Sequence, residues 1–295
     1  MLLELAMPSA GYAYADAYGA GFEYADEMIV NNDLSRYVQH PRFRLIPGSY
    51  TDDTQMSIAI AEVIVAQAPW TPEVLADSFV RAFKRDEREG YSRKLYHFLG
   101  EIQDGEEFLT KINPDSDTSG GAMRAAPIGI YPTPEKVIEA ATIQAAITHN
   151  TPDGINAAVA AALMSHYFIY RLGAKRKLGL FLEGYVSGEW SKPWEGKVKS
   201  KGWMSVRAAI TAVMRNDSMS ELLQDCIAFT GDVDTVGAMS TTGYAYALAA
   251  GSCSEEITQD IPHHLVTGLE NGAYGRDYLI QLDKQLMSLV DKNSS

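Results

Sequence analysis

Three short segments of this 295-residue chain gather carboxylates with hydroxyls or small residues at spacings that suit divalent-cation chemistry. The first is Thr51-Asp52-Asp53-Thr54, placed after Pro47-Gly48-Ser49 and before a run with helical pattern. An acidic N-cap is the plain explanation, yet a cap needs one short polar side chain and four stand here in a row. Successive helical residues point about 100° apart, so Thr51, Asp52 and Asp53 converge on one ion only where the backbone is still turning into the helix. The second is Gly231-Asp232-Val233-Asp234-Thr235-Val236-Gly237. In extended backbone side chains alternate with period two, so Asp232 and Asp234 would face one way and share cations; turn and cap chemistry is the alternative. Neither this segment nor Asp115-Ser116-Asp117-Thr118-Ser119-Gly120 is a calcium hand, because the twelfth position, where a bidentate Glu is required, is Gly243 in one and Ala126 in the other. The third, Ala15-Asp16-Ala17-Tyr18-Gly19-Ala20-Gly21-Phe22-Glu23, lets backbone approach something closely and ends in an acid.

Taken in order along one chain, and joined by two further segments, these motifs resemble those of the ADP-ribosylglycohydrolases. The further segments are Ser119-Gly120-Gly121-Ala122-Met123-Arg124-Ala125-Ala126-Pro127 and Thr148-His149-Asn150, the latter before an Ala-rich run. The resemblance implies a binuclear Mg²⁺ centre, with Mn²⁺ as a substitute, in an all-helical cleft that hydrolyses the bond between ADP-ribose and an acceptor such as an Arg side chain. It implies Thr51, Asp52, Asp53, Asp232, Asp234 and Thr235 as metal ligands. Glu23, Asp53 and Asp234 would carry the catalysis, Glu23 as acid/base or substrate-gating carboxylate. Glu23, Ser119, Gly120, Gly121, Met123 and His149 would line the ADP-ribose site. For His149 the bland alternative is capping a helix start beside Asn150, and for Met123 it is core filling. Ala15 stands where the family has Gly, Ser119 where it has Asn, and Met239-Ser240-Thr241-Thr242-Gly243-Tyr244 in place of a Gly/Ala run. These departures leave the metal residues intact and put the acceptor in question.

Elementary chemistry agrees with the implied site. Carboxylates brought together without cations repel by up to ~4 kcal/mol per close pair at an effective dielectric near ~20, so some would protonate. Hard divalent ions suit all-oxygen donors, Thr hydroxyls and water included. A ribosyl bond breaks through an oxocarbenium-like state that a carboxylate stabilises while water attacks. Metal ions that grip the ribose hydroxyls would orient that water. Two rival functions remain at this stage: an Mg²⁺-dependent phosphoesterase on a nucleotide sugar, which would release AMP, and a non-catalytic ADP-ribose binder.

The elements that must place these segments are helices. Thr71-Pro72-Glu73, Thr133-Pro134-Glu135 and Thr151-Pro152-Asp153 each supply a capping hydroxyl, a Pro suited to the first helical position and an acid that complements the dipole. Ala-rich stretches with apolar residues at mixed three and four spacing cover 53–68, 135–147, 155–172, 205–215, 220–229, 236–250 and 274–290, and no alternating strand pattern of comparable length occurs. The pattern predicts an all-α single domain over 1–295, and the resemblance implies an orthogonal helical bundle.

The balance of 25 Lys+Arg against 38 Asp+Glu gives 25 − 38 = −13, which argues against a nucleic-acid scaffold while leaving room for one ADP-ribosyl group on a nucleic acid. One stretch, 171–207, runs the other way, with nine basic and three acidic residues, six glycines and three tryptophans. It reads as a long irregular basic insertion over the surface, either solvated or acting as a flap that attracts an anionic substrate. Two cysteines, Cys226 and Cys253, lie at no metal-ligand spacing and suggest a reduced setting. The first eight residues lack a basic signal-peptide region, and 155–170 is too short and polar to span a bilayer. The expectation is a cytoplasmic monomer without membrane contact, acting on an ADP-ribosylated protein, a small-molecule conjugate or a nucleic-acid conjugate.

Overall fold

Each Thr-Pro-acid segment opens a helix. Thr71, Thr133 and Thr151 sit in extended backbone, and their side chains accept hydrogen bonds from the N–H groups of Val74, Lys136 and Gly154. The computed structural model describes residues 8–249 and 257–293, and the side chains of 8–10, 242–249 and 291–293 fall outside that description. Thr242, Gly243 and Tyr244, named above for the acceptor pocket, are therefore described only in backbone, and Cys253 lies outside the described residues.

The order begins with α1 (Pro8–Gly19), a 3-10 turn (Asp26–Asn31) and an irregular segment. Then follow α2 (Asp52–Val65), α3 (Pro72–Arg85), α4 (Arg93–Glu101), α5 (Gly105–Lys111), the one-turn α6 (Gly120–Met123), α7 (Pro134–Ala146) and α8 (Pro152–Ile169). The remainder is α9 (Leu178–Glu183), α10 (Gly202–Arg215), α11 (Met219–Ala228), α12 (Val233–Ala249), α13 (His263–Thr267) and α14 (Arg276–Asn293). Among the described residues there is no β-strand, and no helix is long and apolar enough to cross a membrane. The fold is all-α.

Helix α8 is Ala-rich and buried along nearly its whole length, which suits it to the middle of the bundle, with α7, α10 and α12 against it. Small side chains matter most where α1 meets α12. A Cβ on Gly19 would collide with the backbone of Asp234, and one on Gly237 would lie 3.5 Å from the Ala15 carbonyl. That approach brings the end of α1, and the Glu23 segment after it, onto the start of α12.

The basic stretch is more ordered than its charge suggests. It holds a 3-10 turn (Lys175–Lys177), α9 and the first turns of α10, leaving 184–201 irregular. Leu178 and Leu182 on α9 and Val186 and Trp190 in the irregular segment after it are all buried, so the stretch is anchored by apolar side chains. Isolated bridges pair Thr118 with Lys201 and Val198 with Gly231, so the segment is stitched between two loops of the site. Lys197 pairs with Asp26 at 2.8 Å, and Lys201 pairs with Asp117. Two of the lysines that suggested an anion-attracting flap are thus matched by acids.

Candidate metal centre

The anchor of the centre is Asp16, a residue that the motifs contain but to which sequence reasoning assigned no role. It is fully buried on α1 and faces the start of α2. Its Oδ2 accepts from the N–H groups of Thr51 (3.0 Å) and Thr54 (3.1 Å) and from the Thr54 hydroxyl (2.6 Å), while Oδ1 accepts from the Thr51 hydroxyl (2.8 Å). Burial raises its pKa and these four bonds oppose the rise. Thr51 also caps α2, its Oγ1 accepting from the Asp53 N–H at 3.3 Å. Both threonines are therefore tied to α1, and the Asp pair between them is left for other work. Asp53 Oδ2 is buried with no hydrogen-bond partner.

Asp232 and Asp234 do converge, but not by extended alternation, because α12 already begins at Val233. A left-handed turn aims them instead, with φ of 61° at Thr230 and 92° at Gly231. A Cβ on Gly231 would collide with the Val198 carbonyl, so only glycine fits there. The turn is clamped from both sides: Val198 N–H donates to Thr230 (3.0 Å), Asp232 N–H donates to Val198 (3.2 Å) and Tyr24 N–H donates to the Gly231 carbonyl (2.8 Å). The Ser205 hydroxyl holds Asp232 Oδ2 at 2.8 Å.

Glu23 is delivered by the chain leaving α1. His40 Nδ1 accepts from the N–H groups of Arg42 (3.1 Å) and Phe43 (2.9 Å), so its Nε2 donates to the Glu23 carbonyl at 2.9 Å. The Arg42 guanidinium grips the Tyr24 carbonyl. With the backbone so held, the carboxylate oxygens of Glu23, Asp232 and Asp234 lie within 4.8 Å of one another.

The electrostatics are those of an acid cluster out of water. Burial, then Asp232 and Asp16, push the Glu23 carboxyl up to about 8 against the pull of Arg42. Asp52, Asp53 and Asp234 are driven well above the usual carboxylate range by burial and by the other acids. Asp232 is raised by burial, against the hydrogen bond from Ser205 and the nearby Thr235 and Ser119 hydroxyls. The Tyr24 phenol is also raised, by burial and by Asp232, Glu23 and Asp234, which places it at the rim of the cluster.

Of the residues expected to line a ligand site, Ser119 stands close enough to Asp232 to help lower its pKa and so belongs to the acidic wall. Gly120 and Gly121 pack on the His149 ring: a Cβ would sit 3.0 Å from His149 Cε1 in one case and 3.2 Å from Cγ in the other. Met123 lies in the hydrophobic core, and its carbonyl accepts from Tyr12 and Ser57. His149 does not cap α8, a task that Thr151 performs. Burial, then Arg124, push its imidazole down to about 3.

This chain belongs to the ADP-ribosylglycohydrolase family, whose model matches residues 9–295. It is 22% identical over 248 residues to the ADP-ribosylarginine hydrolase Tri1 of Pseudomonas putida (strain GB-1), a match that covers 77% of this chain and 66% of that protein. It is 26% identical over 254 residues to the ADP-ribosylhydrolase ARH3 of Homo sapiens, covering 75% and 68%. The chain thus spans about two thirds of the length of these relatives. A solved ADP-ribosylglycohydrolase-related protein complex shares the fold, with a TM-score of 0.71 at 22% identity over 98% of this chain and 99% of that one.

Proposed function

We propose that the chain is a hydrolase that releases ADP-ribose from a modified acceptor, with two Mg²⁺ ions as cofactor and an arginine side chain as the acceptor. The observation that carries the reading is the convergence of Glu23, Asp232 and Asp234 within 4.8 Å of one another, beside a buried Asp53 oxygen without a partner. An all-oxygen donor set of this kind fits hard divalent cations. Thr51, Asp52, Asp53, Asp232, Asp234 and Thr235 are the residues that would hold them. Asp16 is given a positioning role instead, because its four hydrogen bonds tie it to Thr51 and Thr54, three of them on Oδ2. When bound, the ions supply positive charge that fixes the ribose hydroxyls and orients water.

The chain's own groups do the rest. Glu23, partly open to solvent and with a raised pKa, handles the proton of the attacking water or of the departing acceptor nitrogen, a role that typically contributes ~10²–10⁴ in rate. Asp53 and Asp234 hold negative charge around the reacting carbon, which favours an oxocarbenium-like state and a cationic acceptor such as Arg. The arginine reading draws on the relative named as an ADP-ribosylarginine hydrolase. The chain would act as one domain over 1–295 and as a cytoplasmic monomer; Cys226 is a buried free thiol, as a reducing compartment allows.

The test is release of free ADP-ribose from ADP-ribosyl-arginine, ADP-ribosyl-serine and ADP-ribosylated nucleic acid, with Mg²⁺ and with chelator. Mg²⁺-dependent release from the arginine conjugate is expected, and Glu23→Gln or Asp234→Asn should lower kcat by about 10² or more. AMP as the product would show a phosphoesterase instead, and ADP-ribose binding without turnover would show a binder.

A further inference from the structure

Arg124 turns inward, away from the carboxylates. It is 2% exposed, its guanidinium lies 4.5 Å from the Phe79 ring centroid, and among the described residues no carboxylate pairs with it. Its three hydrogen bonds run from Nε to Gln144 Oε1 (2.7 Å), and from Nη2 to the Gln144 carbonyl (3.1 Å) and the Thr148 hydroxyl (2.8 Å). We infer that Arg124, acting through Thr148, locks His149 as the neutral Nε2–H tautomer. His149 then offers a hydrogen-bond donor to an acceptor oxygen of the bound ADP-ribosyl group, and it serves as neither acid, base nor metal ligand.

A guanidinium carries donors only, so Thr148 Oγ1 must accept from Arg124. The other partner of that oxygen is His149 Nδ1 at 2.7 Å. If Nδ1 carried the hydrogen, two donors and a full cation would converge on one oxygen, and the hydroxyl hydrogen of a buried threonine would be left unpaired, a state that folded proteins avoid. The hydroxyl therefore donates to Nδ1 and the ring hydrogen sits on Nε2, 3.2 Å from the Thr118 hydroxyl. Thr118 is exposed and lies 2.9 Å from the Ser116 hydroxyl, so the chain of donors starts at a buried cation and ends at a surface hydroxyl, which a ligand oxygen would replace as the partner of Nε2–H. The charged groups that face the ring are Arg124 and Asp117, and Lys201 already pairs with Asp117. Gly121 packs against Cγ, and Gly120 lies beside Cε1 and Nε2, where a Cβ would stand 3.0 and 3.2 Å away, so only a glycine there leaves the Nε2 edge room for a ligand atom.

The identity of the ligand rests on the proposed function; the tautomer does not. The measurement is long-range ¹H–¹⁵N correlation on ligand-free, Mg²⁺-supplied protein labelled with [¹⁵N]histidine, in which His149→Asn identifies the His149 signals among six histidines. We expect an unprotonated Nδ1 and a protonated Nε2 from about pH 8 to about pH 5. Thr148→Val removes the relay with little change of shape. It should mix the tautomers, weaken ADP-ribose binding about tenfold and change kcat on the conjugate by less than about threefold; Thr148→Ser should restore all three. An Nδ1–H form in the wild type, an imidazolium in that pH range, or an unchanged tautomer in Thr148→Val would overturn the relay. A shifted tautomer with unchanged ADP-ribose affinity would overturn the ligand contact. An Nε2–H His149 in a protein that cleaves no ADP-ribosyl conjugate would uphold the relay while refuting the function.

Discussion

Stripping divalent cations probes the carboxylate cluster without reference to any substrate. Burial together with Asp232 and Asp16 moves the Glu23 carboxyl from 4.5 to about 8 in the folded state. Between those values the folded chain holds a proton that the unfolded chain has released, and a folded state that binds more protons loses stability as pH rises. At pH 7 the gap from 4.5 is about 2.5 pH units, which at ~1.36 kcal/mol each comes to about 3 kcal/mol from Glu23 alone. Water reaching this partly open side chain trims the figure without reversing its sign. Asp53 and Asp234 are pushed in the same direction and add to it. With each kcal/mol worth ~2–4 °C in a large domain, the cation-free protein should melt roughly 5–10 °C lower at pH 7 than at pH 5. Mg²⁺ favours the ionised forms and should raise Tm most at the higher pH. Thermal scans in chelator and in Mg²⁺, at steps from about pH 5 to about pH 7.5, read this directly. Glu23→Gln has no proton to hold, so its cation-free stability should fall less over the same interval, by about 3 kcal/mol. Cation-free wild-type stability that stays flat or rises toward neutral pH would refute the reasoning, and so would a Tm indifferent to Mg²⁺.

Two further substitutions, with a third as control, test how the ligand segments are held. Asp16→Asn keeps one acceptor oxygen but turns an amide N–H₂ toward donors from Thr51 or Thr54, so urea unfolding should show a loss of ~2–4 kcal/mol and titration should show Mg²⁺ affinity at least about tenfold lower. Gly90, at φ 112°, lies over the other side of the same segment, where a Cβ would collide with Asp52 Oδ1 and come within 2.8 Å of Thr51 Cβ. Gly90→Ala should cost ~1–3 kcal/mol in backbone strain and also weaken Mg²⁺ binding. Gly196→Ala, at φ 84° with nothing within 4 Å of the new Cβ, should show the strain alone. Equal Mg²⁺ affinity in the two alanine variants would refute the role given to Gly90.

What was legible in the sequence is what depends on near neighbours. The Thr-Pro-acid starts became helix caps because a cap bond spans three residues, as from Thr71 to Val74. The Asp52–Asp53 and Asp232–Asp234 pairs stood out because their members are adjacent or nearly so, although the turn that aims the second pair depends on Val198, far away in the chain. The order in 171–207 was obscured because a charge count ignores the apolar side chains of Leu178, Leu182, Val186 and Trp190, which are buried. Asp16 escaped for a related reason: its four donors come from 35 and 38 residues further along, and nothing local distinguishes it from an acid on a small-residue helix. A trace of it was nonetheless present. One hydroxyl suffices to cap α2, yet Thr51-Asp52-Asp53-Thr54 has two, and both are too enclosed to be satisfied by solvent. The surplus hydroxyl of Thr54 required a buried acceptor, and neither flanking Asp can be that acceptor while it serves a cation. A carbonyl one turn back could have served as readily, as it does for Thr211 and Ser240, so the motif marks a hydroxyl to be satisfied without naming its partner, and Asp16 of α1 is that partner.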